Sequence, residues 1–171
     1  MKSVHSHVPP SLLSLESGCG VICGWLALRH YRKKVSIKHL VRLCKFTKSR
    51  GTYAVALAVA LRKFGLPVIF LTDEDNDKKP VEIIAYRQAK KLNTQILPAP
   101  TIRDLNSYLR QGKFVIALYD AKGGVAHFSP LREITGGRVF FIDPIEPNMS
   151  IRTFNRRRGA PGICRHTIVI G

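Results

Sequence analysis

The sequence predicts an α+β fold in which helices come first and an antiparallel sheet follows. Three observations carry this. From Cys19 to Phe64, apolar residues recur at helical spacing. From Phe114 onward the runs are β-branched or aromatic, and Gly123-Gly124 and Gly136-Gly137 divide them as hairpin turns would. The length of 171 residues, 45% apolar and 23% charged, suits a single domain over residues 1–171 with its own core, not a disordered chain.

In order along the chain, residues 1–17 read as an arm rich in Ser and Pro, without helical period. Gly18 leads into a helix over Cys19–Tyr31, where Cys19, Ile22, Cys23, Leu26 and Tyr31 share one side. Ser36 opens a second helix ending near Lys45, with Ile37, Leu40, Val41 and Cys44 on its apolar stripe. A third, Thr52 to Phe64, is apolar on most sides, which predicts burial, and Gly65 stops it. Pro67–Thr72 is a short strand ended by the acidic turn at residues 73–77. Residues 80–92 form a further helix, Thr94–Leu97 is extended, and Thr101 caps a helix that Gly112 ends. The strands Phe114–Tyr119, Ala126–Ile134, Arg138–Ile142 and Ile163–Ile170 complete the sheet. In such a layout a cleft lies between the helical half and the sheet half.

Charge narrows the function classes. Twenty-eight Lys and Arg against 11 Asp and Glu give a net +17, which excludes an acidic binding module and favours an anionic partner. Nine basic residues and no acid lie between Arg29 and Arg50, and five arginines and no acid follow Pro147. A phosphate-tracking surface for nucleic acid is one reading. Without aromatic interleaving or a DNA-binding motif, a solvated face or a dock for an acidic protein is the plainer one. The chain carries neither a signal-peptide run nor an apolar stretch long enough to span a membrane. The four cysteines, in a chain with an adequate core, read as free thiols of a reducing cytoplasm. No metal or cofactor is expected: Cys19 and Cys23 lack the second short-spaced pair of a zinc site, and the acidic run lacks the glycine and distal Glu of a calcium loop.

Cys19 is the candidate nucleophile. It follows Gly18 at a helix start, where unpaired N–H groups and the positive end of the helix dipole favour thiolate over thiol. The same N–H groups can stabilise an oxyanion. On position alone a small buried hydrophobe is the commoner fate of a cysteine. His127 shifts the balance, since it opens a strand beside the glycine-rich turn, and Asp143 ends the next strand before Pro144. Antiparallel pairing across Gly136-Gly137 predicts the two within side-chain reach. The carboxylate would then hold the imidazole so that its other nitrogen faces the thiol.

With these residues in place, SGCGVICGWLALRHYRKKVSIKHLVRLCKF, GTYAVALAVALRKFGLPV and AHFSPLREITGGRVFFIDP resemble the bacteriocin-processing cysteine peptidases. These papain-like domains clip double-glycine leaders for ABC exporters. The likeness spans most of residues 14–145, and the sixteen-residue step from His127 to Asp143 is similar to the family's. It implies a papain-like fold, with Cys19 as nucleophile, His127 as general base and acid, and Asp143 as orienting residue. It also implies a protein or peptide substrate with small residues, such as Gly-Gly, at the cut.

Two departures stand out. The family's oxyanion-hole Gln, six residues before the Cys, is Leu13 here, so Ser14, Ser17 or a backbone N–H must replace it, or activity is weak or absent. The middle, residues 73–100, is enlarged into an insert near the cleft that would select substrate. With no exporter domain in the chain, a free-standing member is expected. A toxin delivered into a competing bacterium's cytoplasm, with an acidic immunity or inhibitor protein and a DNA-associated target, fits by analogy. The alternatives left open are a catalytically silent peptide-binding domain, a deamidase or transglutaminase with the same three residues, and a basic nucleic-acid-binding protein.

Overall fold

The computed structural model describes residues 8–121 and 123–171. Helices α1 (Pro10–Leu13), α2 (Cys19–His30), α3 (Ile37–Leu43) and α4 (Ala54–Lys63) come first. They are followed by β1 (Val68–Thr72), α5 (Pro80–Lys91), β2 (Gln95–Pro98), α6 (Ile102–Arg110), β3 (Phe114–Asp120), β4 (Ala126–Thr135), β5 (Arg138–Phe141), β6 (Asn148–Ser150), α7 (Ile151–Arg158) and β7 (Thr167–Ile170). The seven strands form one sheet in the order β2-β1-β7-β3-β4-β5-β6. Only β1 and β2, joined through α5, run parallel.

Strand β3 explains the layering. Its unbroken apolar run FVIALY is buried along its length, as a strand covered on both faces must be. Phe114, Ile116 and Leu118 pack into one core with α2, α3 and α4, while Val115, Ala117 and Tyr119 pack into a second with α6 and α7. The second layer is built by Leu105 of α6 and Phe154 of α7, both fully buried.

Two glycine positions set the geometry that matters later. Gly136 and Gly137, at φ 54° and 74°, form the two-residue loop closing the β4–β5 hairpin, where Thr135 pairs with Arg138. Gly20 lets α2 lie against β4, since a Cβ there would sit 3.1 Å from both the Phe128 ring and Thr52 Cβ. The 1–17 arm proves to be anchored over its described part, with Pro10 starting a one-turn helix whose Leu12 is fully buried beside Val8. Its first seven residues lie outside the described residues.

Two further differences have plain physical causes. The last strand starts at Thr167, not Ile163, because Cys164 and Arg165 both adopt left-handed backbone at φ 50° and 44°. That turn is held by Asp73, whose N–H donates to the Cys164 carbonyl at 2.8 Å and whose carboxylate takes both Arg165 donors at 2.6 and 2.7 Å. Helix α7 and strand β6, absent from the sequence reading, follow Pro147. Residues 73–100 supply α5 and the edge strand β2.

Candidate active site

Cys19 is the first residue of α2, and the first intrahelical hydrogen bond runs from the Ile22 N–H to the Gly18 carbonyl. The N–H groups of Cys19, Gly20 and Val21 therefore precede the ladder and have no carbonyl within the helix. Gly18 is required here for space, not for conformation. Its φ of −79° suits any residue, but a Cβ would lie 2.7 Å from Leu15 Cβ and 2.8 Å from the Leu15 carbonyl oxygen.

His127 lies one residue into β4, and Asp143 two residues past β5, in the loop that returns toward β6. The ladder continues beyond β5 through the Ile142 N–H, which donates to the Pro130 carbonyl at 2.8 Å. This brings Asp143 Oδ2 to 2.6 Å from His127 Nε2. The other carboxylate oxygen, Oδ1, accepts the Ile145 N–H at 2.8 Å, so both oxygens are fixed. The carboxylate is 8% exposed and the imidazole 23%. With Nε2 on Asp143, Nδ1 is the nitrogen left for the thiol, and His127 and the main-chain N–H groups of Phe128 and Gly20 lie where each favours the Cys19 thiolate.

The electrostatics follow from these contacts. Burial pushes the Cys19 thiol up, but the His127 hydrogen bond, the Phe128 N–H, the His127 charge and the Gly20 N–H outweigh it, and the thiol lies below its ordinary value. Burial pushes His127 down, yet hydrogen bonds to Asp143 and Cys19, and their charges, lift it to about 9. Asp143 is raised by burial and lowered more by His127 and the Ile145 and Glu146 N–H groups, ending below the usual carboxylate range. These influences favour a thiolate–imidazolium pair with a carboxylate behind it. The other described cysteines differ: burial raises Cys23 and Cys164, and lifts Cys44 to about 12.

Two supports were not visible in the sequence reading. The Tyr119 ring, cross-strand from His127, stands edge-on to the imidazole at 5.6 Å and is itself wedged against Phe141 and Phe154. Arg157 of α7 donates to Glu146 at 2.5 Å and so ties down the loop carrying Asp143. Ser150, which accepts the Thr153 N–H as an N-cap, was the one available signal for α7.

The three residues line one groove of about 900 Å³. Leu13 and Ser17 line it too, and Leu13 is 53% exposed, so the position expected to hold a Gln presents an alkyl side chain. Ser14 does not line it, and its hydroxyl donates to the Ser11 carbonyl at 3.3 Å. Among the described residues no cluster of His, Cys, Asp and Glu suits a metal ion, and no helix is long and apolar enough to cross a membrane.

No protein-family model matches the chain, and no curated protein matches it. Solved structures do. The peptidase domain of Streptococcus ComA, a bifunctional ABC transporter involved in quorum sensing, superposes with a TM-score of 0.54 at 17% identity, over 90% of each chain. A double-glycine-motif protease from an AMS/PCAT transporter, solved in complex with the leader peptide, gives 0.52 at 17% identity, over 89% of this chain and 83% of that one. At this identity the likeness is one of architecture, and it settles the fold: the chain has the mixed α+β, papain-like fold of these cysteine peptidase domains.

Proposed function

We propose that the chain is a cysteine peptidase that cuts a peptide bond after small residues, Gly-Gly among them. The observation that carries the reading is the meeting of Cys19, His127 and Asp143 in one groove. The Cys19 thiolate attacks the carbonyl carbon of the scissile bond and forms a tetrahedral oxyanion. N–H groups of the first turn of α2, with the Ser17 hydroxyl at the groove wall, are its donors. As the C–N bond breaks, His127 gives its Nδ1 proton to the leaving amine, and a Cys19 thioester remains. The imidazole then takes a proton from water, the hydroxide attacks the thioester, and the thiolate leaves. Throughout, Asp143 holds the Nε2–H and with it the ring's orientation.

Preference for Gly-Gly rests on the fold shared with a double-glycine-motif protease and on the exposed apolar side chains Leu13, Val125 and Ile145 lining the groove. The test is mass spectrometry of Gly-Gly-containing peptides incubated with the wild type and with Cys19→Ala. Cleavage by the wild type alone is expected. No cleavage of any member of the set, or equal cleavage by Cys19→Ala, contradicts the proposal. Leu13 in the groove favours one second reading, a peptide-binding domain without turnover, and that domain would bind these peptides uncut.

A further inference from the structure

Besides Cys19 and its partners, the groove is lined by Asp75, Asp77, Lys79, Glu82, Gly162 and His166. In a chain of net charge +17, five of the eleven acids lie between Asp73 and Glu82. Two of these already have cations: Asp77 meets Lys79 at 2.7 Å, and Asp73 meets Arg165 at 2.6 Å. Asp75 and Glu82 enter no ion pair among the described residues. Asp75 Oδ1 accepts the Asp77 N–H at 2.9 Å, and Glu82 Oε2 accepts the Lys79 N–H at 3.0 Å. Glu82 is only 6% exposed, and burial, the largest influence on it, pushes its carboxyl up. A carboxylate in that state gains most from an incoming cation.

His166 is the independent observation. It is 6% exposed, its ring packs on Phe70 with centroids 5.3 Å apart, and its buried Nε2 has no hydrogen-bond partner. Burial pushes the imidazole down to about 4 against the pull of Asp75 and Asp73, so the ring is neutral at pH 7. A neutral ring offers Nε2 as an acceptor in one of its two tautomers. An unpaired buried nitrogen at the wall of a groove is costly unless something donates to it.

We infer that this part of the groove is a subsite for a cationic side chain of the bound peptide, an arginine guanidinium or lysine ammonium held by Glu82, Asp75 and His166. The inference rests on reading the groove as peptide-binding, and it does not require cleavage. A guanidinium has five donors, enough for two carboxylates and a ring nitrogen. Lys78 and Lys79 flank the carboxylates and act on Glu82, but Lys79 is held by Asp77 at 2.7 Å and the Lys78 ammonium donates to the Asp75 carbonyl; exposed charge farther off is screened beyond about 8 Å at physiological salt. The carboxylates come from residues 73–100, the segment expected from the sequence to select substrate.

The test uses Cys19→Ala protein, which binds without turnover, and labelled Gly-Gly peptides in which arginine is exchanged for citrulline at each position in turn. Citrulline keeps the shape and loses the charge. At one position arginine is expected to bind about tenfold tighter than citrulline at 0.15 M salt. Asp75→Asn and Glu82→Gln each remove most of that gain and weaken the arginine peptide more than the citrulline peptide. Equal affinity of arginine and citrulline peptides at every position overturns the inference, and that comparison needs no variant of the subsite. Survival of the gain in a folded Asp75→Asn/Glu82→Gln protein overturns it as well. An arginine preference without cleavage by the wild type removes the peptidase reading and leaves the subsite. Cleavage without the preference does the reverse.

Discussion

Asp143→Asn tests the electrostatic arrangement without needing to know the substrate. The carboxylate sits 2.6 Å from His127 Nε2, with 8% of its own surface and 23% of the imidazole's exposed, so water screens the pair little. Together with Cys19, and against the cost of burial, it lifts the imidazole from 6.5 to about 9. That lift stabilises the imidazolium by about 3 kcal/mol. Asparagine keeps the size and a hydrogen bond but removes the charge, so the imidazolium loses a large part of this and the thiolate loses its counter-ion. The assay is the pH dependence of alkylation by iodoacetamide, followed at Cys19 by peptide mapping. In the wild type Cys19 reacts fast well below the pH at which an ordinary thiol ionises, and in Asp143→Asn the rise moves up by at least one pH unit. On the rising limb of the wild-type profile that is a loss of about tenfold in rate or more, since there each pH unit corresponds to a factor of ten in thiolate. Coincident profiles for the two proteins would refute the argument that Asp143 acts on the thiolate through His127.

Three other outcomes follow from the same contacts. Gly20→Ala puts a methyl 3.1 Å from the Phe128 ring and Thr52 Cβ. It should cost about 1–3 kcal/mol in thermal or urea unfolding and slow Cys19 alkylation as α2 lifts from β4; unchanged stability would show that the close approach is unimportant. Leu13→Gln supplies a side-chain amide where the groove holds an exposed alkyl group, and turnover of a cleaved Gly-Gly peptide should rise by about 10²-fold, whereas a fall would show that the oxyanion lies elsewhere. Because the folded imidazole titrates near 9, above its ordinary 6.5, its contribution to stability is complete below pH 6.5 and fades as the pH rises through 9. The wild type should therefore exceed Asp143→Asn in urea unfolding most clearly near pH 6, with the gap narrowing by pH 10; a gap that widens with pH contradicts the assignment.

How much of this was legible in the sequence depends on where each residue's partners lie. Cys19 was legible because it opens its own helix behind Gly18, although most of what lowers its thiol comes from His127 and the Phe128 N–H on β4. The meeting of His127 and Asp143 followed from the two-residue loop at Gly136-Gly137, which sets the pairing of Thr135 with Arg138, whereas the register shift between Leu131 and Glu133 farther along the hairpin gave no sequence signal. Gly18 closes the turn ahead of α2, its N–H donating to the Leu15 carbonyl at 3.0 Å, and the crowding of Leu15 that leaves no room for a side chain there was not legible. Helix α7 escaped notice because only Ile151 and Phe154 of its eight residues are apolar, too few to show a period. Yet it holds the Asp143 loop through Arg157 and Glu146. His166 had no local signal at all, as its electrostatic neighbours Asp73 and Asp75 arrive from the far side of the chain through a turn that the sequence reading assigned to a strand.

The thioester is the step on which the enzymatic reading stands, and intact-mass spectrometry after mixing with an activated Gly-Gly peptide ester observes it directly. The wild type should gain the mass of the acyl part on Cys19 and lose it on longer incubation, while Cys19→Ala gains nothing. A wild-type protein that never acquires the adduct, or an adduct that persists in Cys19→Ala, would contradict it.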